Sequence, residues 1–240
     1  MKILCPVLSR RTEGEGGSRV AGEENADVSR PPHVIFKNLH LLRTLGVRDD
    51  RIVFPLAHVD SAALAQVRAD LGAAQPFALL NPGAAWPNKR WPPVRFGEIA
   101  KFLLDVRGLP SVVLWGPGEE ELAGEVVAAS GGAARVSPAT GLGDLLELSR
   151  AASLVVSGDT GPLHIACAAG TPAVAIFGPT DPDRNGPWVA EDVNLSRYGT
   201  CRCHYQRRCQ EKTWCLGTIG VAEVTAAIQR RLNAGANAHG

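Results

Sequence analysis

The sequence predicts an α/β protein built on a doubly wound parallel sheet, and three observations predict it. Apolar strand-like runs alternate with helical segments from residue 61 to residue 177. The strand-like runs are nearly continuous in aliphatic residues, as suits strands covered on both faces. Most of them end in a turn rich in glycine, proline or asparagine, where a parallel crossover must begin.

Each element follows from its local pattern. Residues 1–31 are dominated by glycine, glutamate, arginine and serine, show no period after Leu8, and are expected to be poorly ordered. Pro32 to Val47 reads as an amphipathic helix with Val34, Leu39, Leu42 and Leu45 on its apolar face, stopped by Gly46. After a linker through Pro55, Ser61 to Leu71 reads as a helix and Phe77 to Leu80 as a strand. Pro93 to Val106 is helical, Ser111 to Trp115 a strand, and Glu119 to Ala129 helical. Ala134 to Val136 is a short strand and Leu142 to Arg150 a helix. Leu154-Val155-Val156 is a strand, Gly161-Pro162 opens a helix closed by Gly170, and Pro172 to Phe177 is the next strand. An irregular cysteine-rich stretch and a helix from Val221 to Leu232 finish the chain.

At 240 residues, with a net charge of +1, the chain can build a full core and lacks the overall basic field of many nucleic-acid binders. It has no apolar run of about 18 residues, and Met1 to Leu8 is too short for a secretory signal. A cytoplasmic location is expected, with room for a peripheral contact to the inner membrane.

Four turns fall on one edge of such a sheet: Asn81 to Trp91, Trp115 to Glu120, Gly158 to Gly161, and Gly178 to Asp181. Ligands bind at that edge in open α/β sheets. The run Ser157-Gly158-Asp159-Thr160-Gly161-Pro162-Leu163-His164 is the most informative of them. Proline costs nothing at a helix start, and the free N–H groups and dipole there favour a phosphate. An ordinary capped turn would use the same residue types. Lys89 and Arg90 add cations between Trp86 and Trp91, so the edge reads as a nucleotide cleft.

Cys201, Cys203, Cys209 and Cys215 form a C-x-C-x5-C-x5-C cluster. A structural zinc clip, free thiols or a labile disulfide each fit this spacing. Arg197, Arg202, Arg207, Arg208 and Lys212 surround it, either as a solvated face or as a hold for an anionic acceptor. Cys167, on a helix's apolar face, reads as a small buried hydrophobe.

Asn81-Pro82-Gly83 with Lys89-x-Trp91-Pro92, Trp115-Gly116-Pro117-Gly118-Glu119, Gly158 to His164, and Phe177 to Pro182 together resemble glycosyltransferase family 9, the lipopolysaccharide heptosyltransferases. The resemblance covers roughly residues 30 to 235. It implies a GT-B architecture of two Rossmann-like domains, the C-terminal one holding an ADP-sugar. It implies that Lys89 contacts the donor phosphates and that Asp159 faces the heptose. Thr160, Gly161, Pro162 and His164 then belong to the diphosphate end, and Glu119 or Glu120 reaches the ribose. The implied donor site requires no metal cofactor.

Family members begin with a full acceptor domain carrying an aspartate that looks like the catalytic base, which this chain does not match. It therefore looks like an N-terminally truncated member: residues 32–55 a remnant helix and linker, residues 56–240 a complete donor domain with a cysteine-rich tail. The resemblance implies inverting transfer of heptose to the lipopolysaccharide inner core. The alternatives are a nucleotide-sugar binding module without the base, and a structural role for the cysteine cluster. An apolar helix face short of packing favours self-association or an acceptor-domain partner.

Overall fold

The computed structural model describes residues 33–48 and 51–237, so the expectation of disorder for residues 1–31 lies outside the described residues. Six strands form one sheet: β1 (Ala78–Asn81), β2 (Ser111–Val113), β3 (Ala134–Val136), β4 (Leu154–Gly158), β5 (Ala173–Phe177) and β6 (Val193–Ser196). Their order is β3-β2-β1-β4-β5-β6, and every pairing is parallel. This is the doubly wound arrangement that the alternating pattern predicts.

The helices are α1 (Val34–Leu42), α2 (Ala62–Leu71), α3 (Pro93–Arg107), α4 (Glu120–Ala129), α5 (Leu142–Ala151), α6 (Gly161–Ala168), α7 (Pro182–Asn185) and α8 (Val221–Asn237). Local chemistry sets their ends. The Ser61 hydroxyl accepts from Leu64 N at 3.0 Å to start α2. Pro93 occupies the first turn of α3, and Gly108, at φ 63°, closes it in the left-handed conformation that a side chain resists. The Glu223 carboxylate accepts from Gly220 N at 3.0 Å ahead of α8.

Strand residues alternate between two cores. Ala78, Leu80, Val113, Leu154, Val156, Val174 and Ile176 pack on the side of α3, α4 and α8. Phe77, Leu79, Val112, Val155, Ala175 and Phe177 pack on the side of α2, α5 and α6. Each buried aliphatic or aromatic side chain of this kind contributes roughly 1.5–3 kcal/mol over its exposed state. Both faces being covered explains why the strands read as unbroken apolar runs.

Two expectations need correction. The first helix ends at Leu42 and passes into a 3-10 turn, Arg43–Leu45, before Gly46 at φ 79°. Its apolar face is short of packing, as expected, with Leu42 40% and Leu45 77% exposed and Val34 and Leu39 half-buried. In addition, Val193–Ser196 is a strand where an irregular stretch was expected. Among the described residues, no helix is long and apolar enough to cross a membrane.

Candidate functional site

The strand order reverses between β1 and β4, whose last paired residues are Asn81 and Ser157. Crossovers from these strands leave to opposite sides, so a crevice must open beyond their carboxyl ends. A cleft of about 440 Å³ lies there, within the size range of small-molecule sites.

Three of the four predicted turns line it. Asn81 and Gly83 come from the first, Trp115, Gly116 and Glu119 from the second, and Thr160, Gly161 and Pro162 from the third. The Asn81 amide ties the first turn to the third, donating to Thr160 Oγ1 at 2.9 Å and to Ser157 Oγ at 3.0 Å. The start of α6 is thereby held on the cleft wall. Gly83 leaves room for the Glu119 carboxylate, since a Cβ there would fall 2.0 Å from one of its oxygens and push it aside. Glu119 accepts from Gly116 N at 3.1 Å and stands 3.6 Å from Arg90 Nη2. Of the two glutamates left open by the sequence, Glu119 lines the cleft, whereas Glu120 begins α4 and is exposed.

Lys89, Asp159 and His164 form a second cluster, bordering the cleft through Thr160. Lys89 Nζ lies 2.6 Å from Asp159 Oδ2, and Thr180 Oγ1 donates to the same oxygen at 2.7 Å. His164 Nε2 is 3.3 Å from Asp159 Oδ1. Lys89 Nζ also sits 4.6 Å from the centre of the Trp86 ring, a cation–π contact. Burial works to raise the Asp159 carboxyl. Hydrogen bonds from His164, Lys89 and Thr180, with the Lys89 charge, outweigh it and hold the group well below the usual carboxylate range. The fourth turn therefore does not line the cleft; it delivers Thr180 to Asp159.

The cleft has a further wall that the sequence reading missed. Thr140, Gly141, Leu142 and Leu145, at the start of α5, line it. Their position after the short strand β3 was the available signal, since that turn shares the edge with the other four.

Cys201 and Cys203 are buried, and Cys203 Sγ lies 3.2 Å from Cys209 Sγ. Burial, with the neighbouring Cys201 thiol, pushes the Cys215 thiol up to about 12. The four thiols thus gather in one cluster, with Cys203 and Cys209 in direct contact. Among the described residues, no group of three or more histidine, cysteine, aspartate or glutamate side chains is arranged to hold a metal ion. Cys167 is buried, and its thiol is raised to about 12 chiefly by that burial, as a small hydrophobe's would be.

A sequence model described as glycosyltransferase family 9 (heptosyltransferase) matches residues 12–215. Lipopolysaccharide heptosyltransferase 1 of Pseudomonas aeruginosa is 30% identical over 142 residues, which span 59% of this chain and 39% of that protein's own length. The crystal structure of a family 9 glycosyltransferase from Veillonella parvula superposes with a TM-score of 0.69 at 25% identity, covering 86% of this chain and 62% of that one. The Escherichia coli ADP-heptose lipopolysaccharide heptosyltransferase II superposes with a TM-score of 0.62 at 23% identity, over 78% of this chain and 56% of that one. This last likeness is one of fold.

Proposed function

The chain belongs to glycosyltransferase family 9, and from that membership we propose that its described domain binds an ADP-sugar for heptose transfer. The donor in this reading is ADP-heptose, the acceptor is the lipopolysaccharide inner core, and the transfer inverts the anomeric centre. One observation carries it: the cleft at the β1/β4 reversal ends on the start of α6, beside Lys89.

Each part of the donor has a chemical counterpart. Leu114, Leu142 and Leu145 supply an apolar slot for the adenine, and the Glu119 carboxylate accepts from ribose hydroxyls. The N–H groups at the start of α6 take the diphosphate, with Lys89 adding charge. Asp159 faces the heptose, and His164 borders the diphosphate end. Cation and helix dipole together stabilise a departing ADP, so the reading asks for no divalent metal. The cysteine-rich tail is structural in it, fastened by close packing of the clustered thiols; stoichiometric zinc in the purified protein would assign that fastening to metal instead.

A second reading, a nucleotide-sugar binding module without transfer, is favoured by the state of the carboxylates. Glu119 is the carboxylate among the described lining residues and faces Arg90, while Asp159 is paired with Lys89. A general base needs a group free to take the acceptor proton.

The test is to assay heptose transfer to a core acceptor by the purified chain, with and without a separately expressed acceptor domain of a family member. Donor binding by the chain alone, with transfer only after the acceptor domain is added, is the expected result. Donor binding with no transfer in either mixture favours the binding module. Robust transfer by the chain alone would show that the base lies in this domain.

A further inference from the structure

The segment from Cys201 to Cys215 touches both loops that converge on Asp159. On one side, the Asn88 amide donates to Gln206 O at 2.6 Å, and Trp214 Nε1 donates to Asn88 O at 3.2 Å. On the other, Tyr205 N donates to Pro179 O at 3.0 Å. Asn88 immediately precedes Lys89, and Pro179 immediately precedes Thr180. Lys89 and Thr180 are the two side chains that donate to Asp159 Oδ2.

The contacts are built rather than incidental. Asn88 is buried to 5% exposure, and its Oδ1 finds no partner, so this amide is retained inside the fold at a cost that packing alone would not require. Tyr205 has φ 54°, the one non-glycine residue in the left-handed region among those described, a conformation that persists only where its surroundings hold it. Gly178 lets the segment lie flat on the end of β5, because a Cβ there would meet Leu216 Cγ at 2.9 Å and Cys215 Sγ at 3.2 Å. The contact of Cys203 Sγ with Cys209 Sγ at 3.2 Å closes the middle of the segment on itself.

We propose that residues 201–215 are a strap that positions Lys89 and Thr180 on Asp159, with the Cys203–Cys209 contact as its fastening and Asn88, Tyr205 and Trp214 as positioning residues. Its effect on donor affinity rests on the reading of the cleft as an ADP-sugar site; its effect on the two loops does not. The strap sets the geometry of charges that act on the ligand and touches no reacting atom.

Two variants loosen it without altering Lys89, Asp159 or Thr180. Trp214→Phe removes one indole donor while keeping an aromatic body, and Cys203→Ala with Cys209→Ala removes the thiol contact. Amide hydrogen exchange in the ligand-free chain should rise about fivefold or more in segments 84–90 and 178–181, the scale of one lost hydrogen bond, while β4 keeps its protection. ADP affinity, read by calorimetry, should fall by a similar factor. In a Lys89→Ala, Thr180→Ala background the same strap changes should cause no further loss, because positioning has nothing left to position. A general loss of stability would instead subtract equally in both backgrounds. Unchanged exchange in both loops for Trp214→Phe, or a full additive loss in the double-variant background, overturns the proposal. A wild-type chain without ADP affinity overturns the donor reading, and the exchange measurement still decides the strap.

Discussion

At Asp159, burial and hydrogen bonding act in opposite directions. Burial alone raises the carboxyl; the donors from His164, Lys89 and Thr180 win, and the charge stays inside the fold. A carboxylate depressed in the folded state contributes stability that is complete above the ordinary carboxylate range and is lost as the pH falls below it. Asp159→Asn should therefore cost on the order of 3 kcal/mol near neutral pH, since it leaves Lys89 without its ion partner. The deficit should shrink towards acid, where the wild type loses the same contribution. Urea unfolding at several pH values measures this, and a deficit that does not change with pH would remove the ion pair from the explanation. Lys89 and Asp159 were both legible as site residues from their turns. Their pairing was not, because 70 residues separate them and only the β1/β4 contact brings the turns together. The choice between Glu119 and Glu120 was likewise beyond a turn whose rotation the sequence does not specify.

Among the elements, those with strong local signals were read closely, β3 at one edge included, and the β6 edge was not. Strands β1, β2, β4 and β5 are buried on both faces, and their apolar runs announced them. β6 alternates Val193 and Leu195 with Asn194 and Ser196, on a sheet edge that demands less apolar surface, so it reads as loop. The start of α5 escaped notice as a cleft wall because Thr140 and Gly141 bear no charge. The last helix was found, but what docks it was not visible. Arg231 Nε on α8 lies 2.6 Å from Asp192 Oδ1, and the same oxygen accepts from Ala173 N at 2.9 Å, so the pair fixes both α8 and the start of β5. Burial pushes the Asp192 carboxyl up, with Arg231 opposing it. Arg231→Leu should destabilise the fold by about 3–5 kcal/mol, because a buried carboxylate loses its counter-ion. Asp192→Asn in the same chain should restore part of that loss. Equal stability of the Arg231→Leu chain and the wild type in urea would mean that α8 is held by its apolar face alone.

For the whole molecule, topology places the chemistry. A parallel sheet of order β3-β2-β1-β4-β5-β6 has its reversal between β1 and β4, and the lining turns of the cleft, with the Asp159 cluster beside them, gather at that end. The exposed apolar residues Leu42 and Leu45 lie in the first helical segment, which the sequence read as amphipathic and the described residues leave uncovered. In the proposed function this cleft is a nucleotide site whose charge Lys89 supplies. Calorimetric titration of the chain with ADP in the presence of a metal chelator tests that directly. Binding at one site is predicted, and Lys89→Ala should weaken it about tenfold, the scale of a hydrogen bond to a charged group. No measurable binding, or equal affinity in the wild type and Lys89→Ala, would contradict it.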